Sequence, residues 1–431
     1  MIKIEEILKN NIKKIILFYI YMQPLLDITT GLTQNYLNIN FTISSIIRLV
    51  FLILCLYYII KLDKAKNKKQ NITKSIIIII YIILFSITTI TYKGTNALSY
   101  ELKNTINTFY LPIITLALMD IFEQYKIKID IKHIIYTYLI YILLIAIPNI
   151  THTGFNSYAI SKTGSSGWFS SANATGNILS ILLPIVILFI IKNKNKKILT
   201  TTIIITTLYS ITSLGTKVPI ISLIICILTT LLYFIIKWIK EKQKTKITIS
   251  ITGTIIVTLL TLILIPKTSF YKNIQIHKEY LGITNYTEIL TNYNLIDHFI
   301  FSQRLTFLNN TNKTYQKSNI IEKTIGIGYI ENYGTDNVST KTIEIDYLDI
   351  LYRNGIIGFI IYFSIMIPII IKTIKKTKQK TLINLEYKLS ISLIIIIAFF
   401  AGHMIITPNV CIFVALIIAI INKGGLYEKT N

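Results

Sequence analysis

Hydrophobic and polar positions along this chain alternate in long blocks rather than residue by residue. Runs such as 75–85 and 389–400 are almost wholly apolar, and a block of about 17 to 25 apolar residues is what a helix needs to cross a bilayer. About twelve blocks of this kind lie at 14–31, 42–60, 75–92, 104–121, 133–150, 173–191, 198–214, 217–236, 247–265, 354–371, 382–401 and 405–422. Lipid offers no partner to a backbone N–H or C=O, so these blocks are expected to be helices even where β-branched Ile and Thr dominate. The predicted fold class is all-α, a polytopic membrane protein. One long polar interruption follows the ninth block, which divides the chain into 1–266, 267–345 and 346–431 within a single membrane domain.

Composition sharpens this. Hydrophobic residues make up 52% of the 431 and charged residues 15%, with a formal net charge of +24. Such a charge invites nucleic acid as a partner, but the lysines alternate between connections. They crowd 61–74, 192–197, 237–246 and 372–380 and are nearly missing from 31–41 and 151–172. Positive connections stay in the cytoplasm. The expected topology places both termini inside and segment 267–345 outside, with the bilayer as partner and no nucleic acid. Residues 1–14 put charge before an apolar block, as a signal peptide does. No small-residue cleavage site follows, and Gln23, Pro24 and Asp27 interrupt the outer half of the block, so it is expected to stay as the first helix. Cys55, Cys226 and Cys411 fall inside apolar blocks without the spacing of a disulfide framework or zinc site.

The chemistry implied excludes nucleotide. No Walker motif occurs, and Gly326-Ile327-Gly328 is a lone GxG that reads as a turn. His277 and His298 lack spaced carboxylate or Cys partners, so neither metal nor cofactor is expected. The first half has no evident repeat in the second, which argues against a transporter built on duplicated halves.

Candidate chemistry gathers at the expected outer surface. Lys217 sits in a tight Gly-Thr-Lys-Val-Pro connection on the side that otherwise avoids lysine, and reads either as a snorkelling side chain or as an anion ligand. Arg304 is the only arginine in the polar segment; its planar fork suits phosphate oxygens, and the alternative is an ion pair with an acid such as Asp297. Glu344, Asp346 and Asp349 cluster where the chain returns to the apolar block. Read as one helix, Glu344 shares a face with Leu348, and Asp346 with Asp349 and Arg353. A partly desolvated acid there can act as a general base; the alternative is an Asp349 to Arg353 pair with solvated neighbours. Gln23 and Asp27 either border a cavity or cap the first helix, and His403 and Asn409, flanking Pro408, either line a lipid entrance or satisfy the backbone of a broken helix.

Three segments in order then carry a resemblance. They are 164–184 (GSSGWFSSANATGNILSILLP), with Gly167, Phe169, Asn173 and Gly176; 302–328 (SQRLTFLNNTNKTYQKSNIIEKTIGIG), led by Arg304 and ending in Gly-x-Gly; and 344–358 (EIDYLDILYRNGIIG). Together they resemble the O-antigen ligase and polysaccharide polymerase superfamily, in its Gram-positive form. Two departures stand out. Many members carry a histidine where this chain has Glu344 and Asp346, and an arginine is common near the position of Lys217. The resemblance implies a metal-independent glycosyltransferase, in a bacterial cytoplasmic membrane, that polymerises or transfers glycan from undecaprenyl diphosphate on the outer face to a glycan or other surface acceptor, alongside polysaccharide-assembly proteins. It implies Arg304 and Lys217 for the diphosphate, Glu344 or Asp346 for the acceptor hydroxyl, Asp349 as an orienting residue and Asn173 beside the site. A ligase, a peptidoglycan polymerase of the shape and division machinery, and a flippase of lipid-linked oligosaccharide remain as alternatives.

Overall fold

The computed structural model describes residues 2–37, 42–65, 67–158, 162–193, 195–240, 245–285, 287–330, 341–378, 381–424 and 426–427. Residues 331–340 of the polar segment, and Lys66, Lys194, Lys242, Lys244 and Lys380 of the lysine-rich connections, lie outside this set.

Helices dominate: α1 (Ile2–Leu37), α2 (Ile43–Tyr57), α3 (Lys68–Lys93), α4 (Thr95–Gln124), α5 (Ile131–Ile150), α6 (Ala172–Lys192), α7 (Lys197–Ser213), α8 (Lys217–Lys240) and α9 (Thr245–Leu264) precede the polar segment. That segment folds as short helices α10 (Ser269–Tyr280), α11 (Thr287–Thr291), α12 (Tyr293–Leu295), α13 (Arg304–Lys317), α14 (Ile320–Ile325) and α15 (Asp346–Arg353). The chain finishes with α16 (Gly355–Lys376), α17 (Leu382–Phe400) and α18 (Pro408–Ala419). Among the described residues, strands are confined to two small pairs: β1 (Ile129–Asp130) runs parallel to β4 (Leu426–Tyr427), and β2 (Phe155–Asn156) antiparallel to β3 (Ser165–Gly167).

Among the described residues ten helices are long and apolar enough to cross a membrane. Two of the expected spans are shorter: α7 has 17 residues, and the last runs Pro408–Lys423. The protein is an all-α, multi-pass membrane protein. α18 is apolar and buried from Val410 to Ala419 and packs against α4 and α6, whereas α9 is mostly exposed. A helix apolar all round belongs either in a core or against lipid, and this bundle uses both.

Two local expectations change. α1 runs through Pro24 to Leu37, past the end of the expected span at 31, so Gln23 and Asp27 do not cap it; Gln23 Nε2 donates to the Tyr19 carbonyl at 3.1 Å within the helix, and Asp27 lines a cavity. Glu344 lies outside α15, so it shares no helical face with Leu348. Its φ is +61°, and Asp349 accepts the N–H groups of Ile343 and Glu344, both at 2.9 Å, which turns the chain just before the helix.

Buried charge fixes the polar segment to the bundle. Lys93, at the end of α3, donates to Glu101 of α4 at 2.6 Å and to the Ile330 carbonyl at 2.9 Å. Glu101 in turn accepts the N–H groups of Tyr329 and Ile330. Arg353 is fully buried and donates to the carbonyls of Gly328 and Lys341, each at 3.1 Å. Gly328 has φ +70°, and a Cβ there would collide with Lys93 and Glu101. The GxG is a turn that lets backbone approach a buried ion pair.

Candidate functional site

At the end of the bundle remote from the ends of α6, α8 and α16 that carry Lys192, Lys240 and Lys376, a cavity of about 340 Å³ opens among α6, α8, α10, α13 and the 401–403 connection. Among the described residues, Lys162, Lys217, Arg304 and Lys341 line it, as do Asn173, His277, His298 and one carboxylate, Glu344. Positive charge exceeds negative on its wall.

Local sequence explains how each cation arrives. The Gly215-Thr216 turn, with Gly215 at φ +72°, ends α7 and starts α8 at Lys217. Asn273 of α10 donates to the carbonyls of Gly215 (3.0 Å) and Thr163 (2.7 Å), which ties this turn to the strip bearing Lys162. Gly176, packed against Pro219 and Thr216, sets α6 against the start of α8. Lys217 donates to the Phe299 carbonyl and lies 5.5 Å from the Phe299 ring centroid. The first N–H groups of a helix have no partner within it and carry its positive end. Gly215, Thr216, Lys217 and Val218 therefore present a helix start as well as an ammonium to the cavity. Burial pulls the Lys162 ammonium below its ordinary value. Burial and the charges of Lys162, Lys217 and His298 push His277 down to about 4, which leaves it neutral.

Arg304 opens α13 directly after Ser302 and Gln303, both in left-handed backbone conformation. Asp297 is not its partner; its carboxylate caps α13, accepting the N–H groups of Leu305 (2.8 Å) and Thr306 (2.9 Å). The guanidinium instead joins three segments. It donates to the Glu344 carbonyl at 2.9 Å, the Glu344 carboxylate at 3.2 Å and the Ala401 carbonyl at 3.0 Å.

The three acids diverge. Asp346 is fully buried, away from the cavity wall, and its Oδ2 accepts the N–H groups of Met404 and Ile405 at 2.8 Å. Asp349 is likewise buried and holds the Ile343 and Glu344 backbone. Burial raises the Asp346 carboxyl and pushes Asp349 up to about 6, against the hydrogen bonds each accepts. Glu344 faces the cavity. Burial pushes its carboxyl up, but the hydrogen bond and charge of His403, with Arg304 and Lys341, outweigh that and hold it below the usual carboxylate range.

His403 is the partner that sequence reasoning missed. Its Nε2 lies 3.9 Å from Glu344 Oε1, and burial, which lowers an imidazole, is overcome by that carboxylate, so His403 is held above its ordinary value. Both residues have left-handed backbones, φ +61° and +56°, a costly conformation that persists only when its surroundings enforce it. They do so here. Gly402 allows the two loops to touch, since a Cβ would meet the Glu344 backbone, and Asn177 donates to the carbonyls of Gly402 (2.9 Å) and His403 (3.2 Å). Lys162 was also missed, as the lone lysine in a connection noted for lacking them. Among the described residues no group of three or more His, Cys, Asp or Glu is placed to hold a metal ion.

Residues 9–291 and 288–422 match the family described as O-antigen ligase like membrane protein. The chain belongs to this family. A search of curated proteins finds no match. Within this O-antigen ligase-like protein the three motif segments meet at one place: 164–184 supplies Asn173 and the start of α6, 302–328 supplies Arg304, and 344–358 supplies Glu344. Membership implies a ligase- or polymerase-type role in processing lipid-linked glycan in a membrane.

Proposed function

We propose that this protein is a glycosyltransferase that takes glycan from undecaprenyl diphosphate, on the outer face of a bacterial cytoplasmic membrane, and extends a cell-surface polysaccharide with it. The observation that carries the reading is the excess of cations over carboxylate, among the described residues, on the wall of the 340 Å³ cavity. A sugar diphosphate is already activated, so no nucleotide is needed. Arg304, Lys217 and Lys162 hold the diphosphate, with the start of α8 adding N–H donors, and stabilise charge as it develops on the leaving oxygen. The acceptor hydroxyl oxygen bonds to the anomeric carbon while the bond from that carbon to the diphosphate breaks. The electron pair leaves with the diphosphate, and the hydroxyl proton passes to Glu344. A lowered pKa makes Glu344 a weak base but keeps it ionised and acceptor-only at neutral pH. Asp346 and Asp349 hold the frame rather than react: both oxygens of Asp349 and the Oδ2 of Asp346 accept backbone N–H groups. Cell wall or capsule polymer, rather than a single finished acceptor, is the preferred product.

The test is purified protein in lipid with lipid-linked oligosaccharide from its own cells and no nucleotide. A ladder of longer lipid-linked glycans, lost in Arg304→Ala, supports the reading. Single transfer to an added acceptor makes the protein a ligase. Movement of intact substrate across the bilayer without bond formation makes it a flippase and overturns the proposal.

A further inference from the structure

A second cavity, of about 460 Å³, lies on the other side of the wall formed by His403 and the start of α6. It sits among α1, α2, α4, α6 and α18, and its chemistry differs from that of the first. Its floor holds the Arg48 and Asp27 ion pair, with Asp27 also accepting from Tyr141 at 2.8 Å, so these two charges cancel each other. Around them stand Ser and Thr hydroxyls and the amides of Asn107 and Asn409, with Lys103 also on the wall, beside an apolar strip that includes Leu52 and Tyr110. Hydroxyls and amides both donate and accept, which is what a polyhydroxylated ligand requires, and an apolar strip suits the C–H face of a sugar ring. The volume is in the range of about 300 to 1,000 Å³ typical of small-molecule sites.

We infer that this second cavity receives the uncharged, hydroxyl-rich end of the acceptor glycan and delivers one hydroxyl past His403 to Glu344. The inference rests on the transfer reading above and divides the labour: diphosphate in the cavity with four cations on its wall, sugar in the one lined mainly by hydroxyls and amides. The two cavities meet where a transfer needs them to. Ser170, Ser171 and Ala174 line the second cavity and Asn173 the first, so one helical turn separates them. His403 lines the second, and its imidazole stands 3.9 Å from the carboxylate that lines the first. Asp27 and Arg48 lie within membrane-spanning helices, and a charged pair there marks a functional cavity more often than a packing device.

Two probes separate the cavities in binding to the purified full chain: inorganic pyrophosphate, and the reducing oligosaccharide that mild acid frees from the cells' lipid-linked glycan, without lipid or phosphate. Asn107→Trp, which fills the second cavity, is expected to weaken oligosaccharide binding at least tenfold and to leave pyrophosphate unchanged; Lys217→Ala is expected to do the reverse. Ser170→Trp, at the rim on another segment, repeats the test should Asn107→Trp not fold. Oligosaccharide that fails to bind the wild type, or whose affinity follows Lys217→Ala instead of the tryptophan variants, overturns the assignment. If the two-site binding pattern holds but the wild type transfers nothing, the cavity assignment stands and the transfer reading falls. If the wild type transfers and the tryptophan variants keep its KM for acceptor, the cavity assignment alone falls.

Discussion

Two clusters of buried charge face the same end of this bundle, and they differ in what their charges touch. In the cluster of Lys93, Glu101 and Arg353, the charged groups are turned onto one another or onto the backbone of 327–330 and Lys341. In the cluster of Lys162, Lys217, Arg304, Glu344 and His403, Arg304 also holds backbone, yet Glu344 and an excess of cations remain on a cavity wall. The comparison teaches that burial of charge by itself does not locate chemistry. Both clusters are costly to bury. Only the second leaves charge available to a ligand.

The frame cluster should give the largest effect when broken. Glu101→Ala leaves Lys93 buried without its carboxylate, which costs about 3 to 5 kcal/mol for a buried pair. The melting temperature in detergent is expected to fall steeply, with activity lost only in proportion to folded protein; a normal melting temperature with abolished activity would move this cluster into the site. Arg304→Lys comes next. A lysine retains the charge but not the planar fork that reaches Glu344, Ala401 and phosphate together, and charged hydrogen bonds of about 1.5 to 3 kcal/mol predict a rate lower by roughly tenfold to a hundredfold. Wild-type turnover in that variant would reduce Arg304 to a point charge. Lys217→Ala is expected to raise KM for the lipid-linked donor by about tenfold, or about 1.4 kcal/mol, with little change in KM for acceptor. Equal shifts in both would show that the two substrates share one cavity.

The smallest expected effect is on pH dependence. Glu344 has a lowered pKa when folded, so its contribution to stability is present above its unfolded value and is lost as pH falls through the folded one. His403 has a raised pKa, so its contribution is full below its unfolded value and is lost as pH rises through the folded one. Both are complete between about pH 4.3 and 6.5, the ordinary values of the two groups. A melting-temperature profile should lose that acid-side plateau in His403→Gln; an unchanged profile would mean that the pair adds nothing.

Much of the bundle was legible because a membrane helix is written as a contiguous apolar block, and the first turns of α6 and α8 were readable from Gly, Asn and Pro. The site was legible in part. Lys217, Arg304 and Glu344 stood out as charges at the expected outer surface and Asn173 through the resemblance alone, and they line one cavity. What could not be read is which of them touch. Arg304 and Glu344 are 40 residues apart, and Asn177 and Gly402 are 225 apart; no periodicity encodes such pairs. His403 looked like a helix-end residue because its carboxylate partner comes from another segment. Asp346 and Glu344 looked alike because the left-handed turn that separates their fates is set by Asp349, not by residue type. The expected first span, 14–31, already ran through Pro24, and a helix inside a bundle can carry a proline when neighbours stabilise it; what sequence left open, whether Asp27 caps the helix or borders a cavity, depended on neighbours from other helices.

The most direct measurement compares Glu344→Gln with Asp349→Asn, taking nucleotide-free glycan transfer per folded molecule alongside the melting temperature. A base that faces the cavity predicts that Glu344→Gln keeps most of its stability and loses about 10² to 10⁴ in rate, while Asp349→Asn unfolds at lower temperature yet retains its rate per folded molecule. Full transfer by Glu344→Gln, or a folded Asp349→Asn without activity, would contradict the division between charge that faces a ligand and charge that holds the frame.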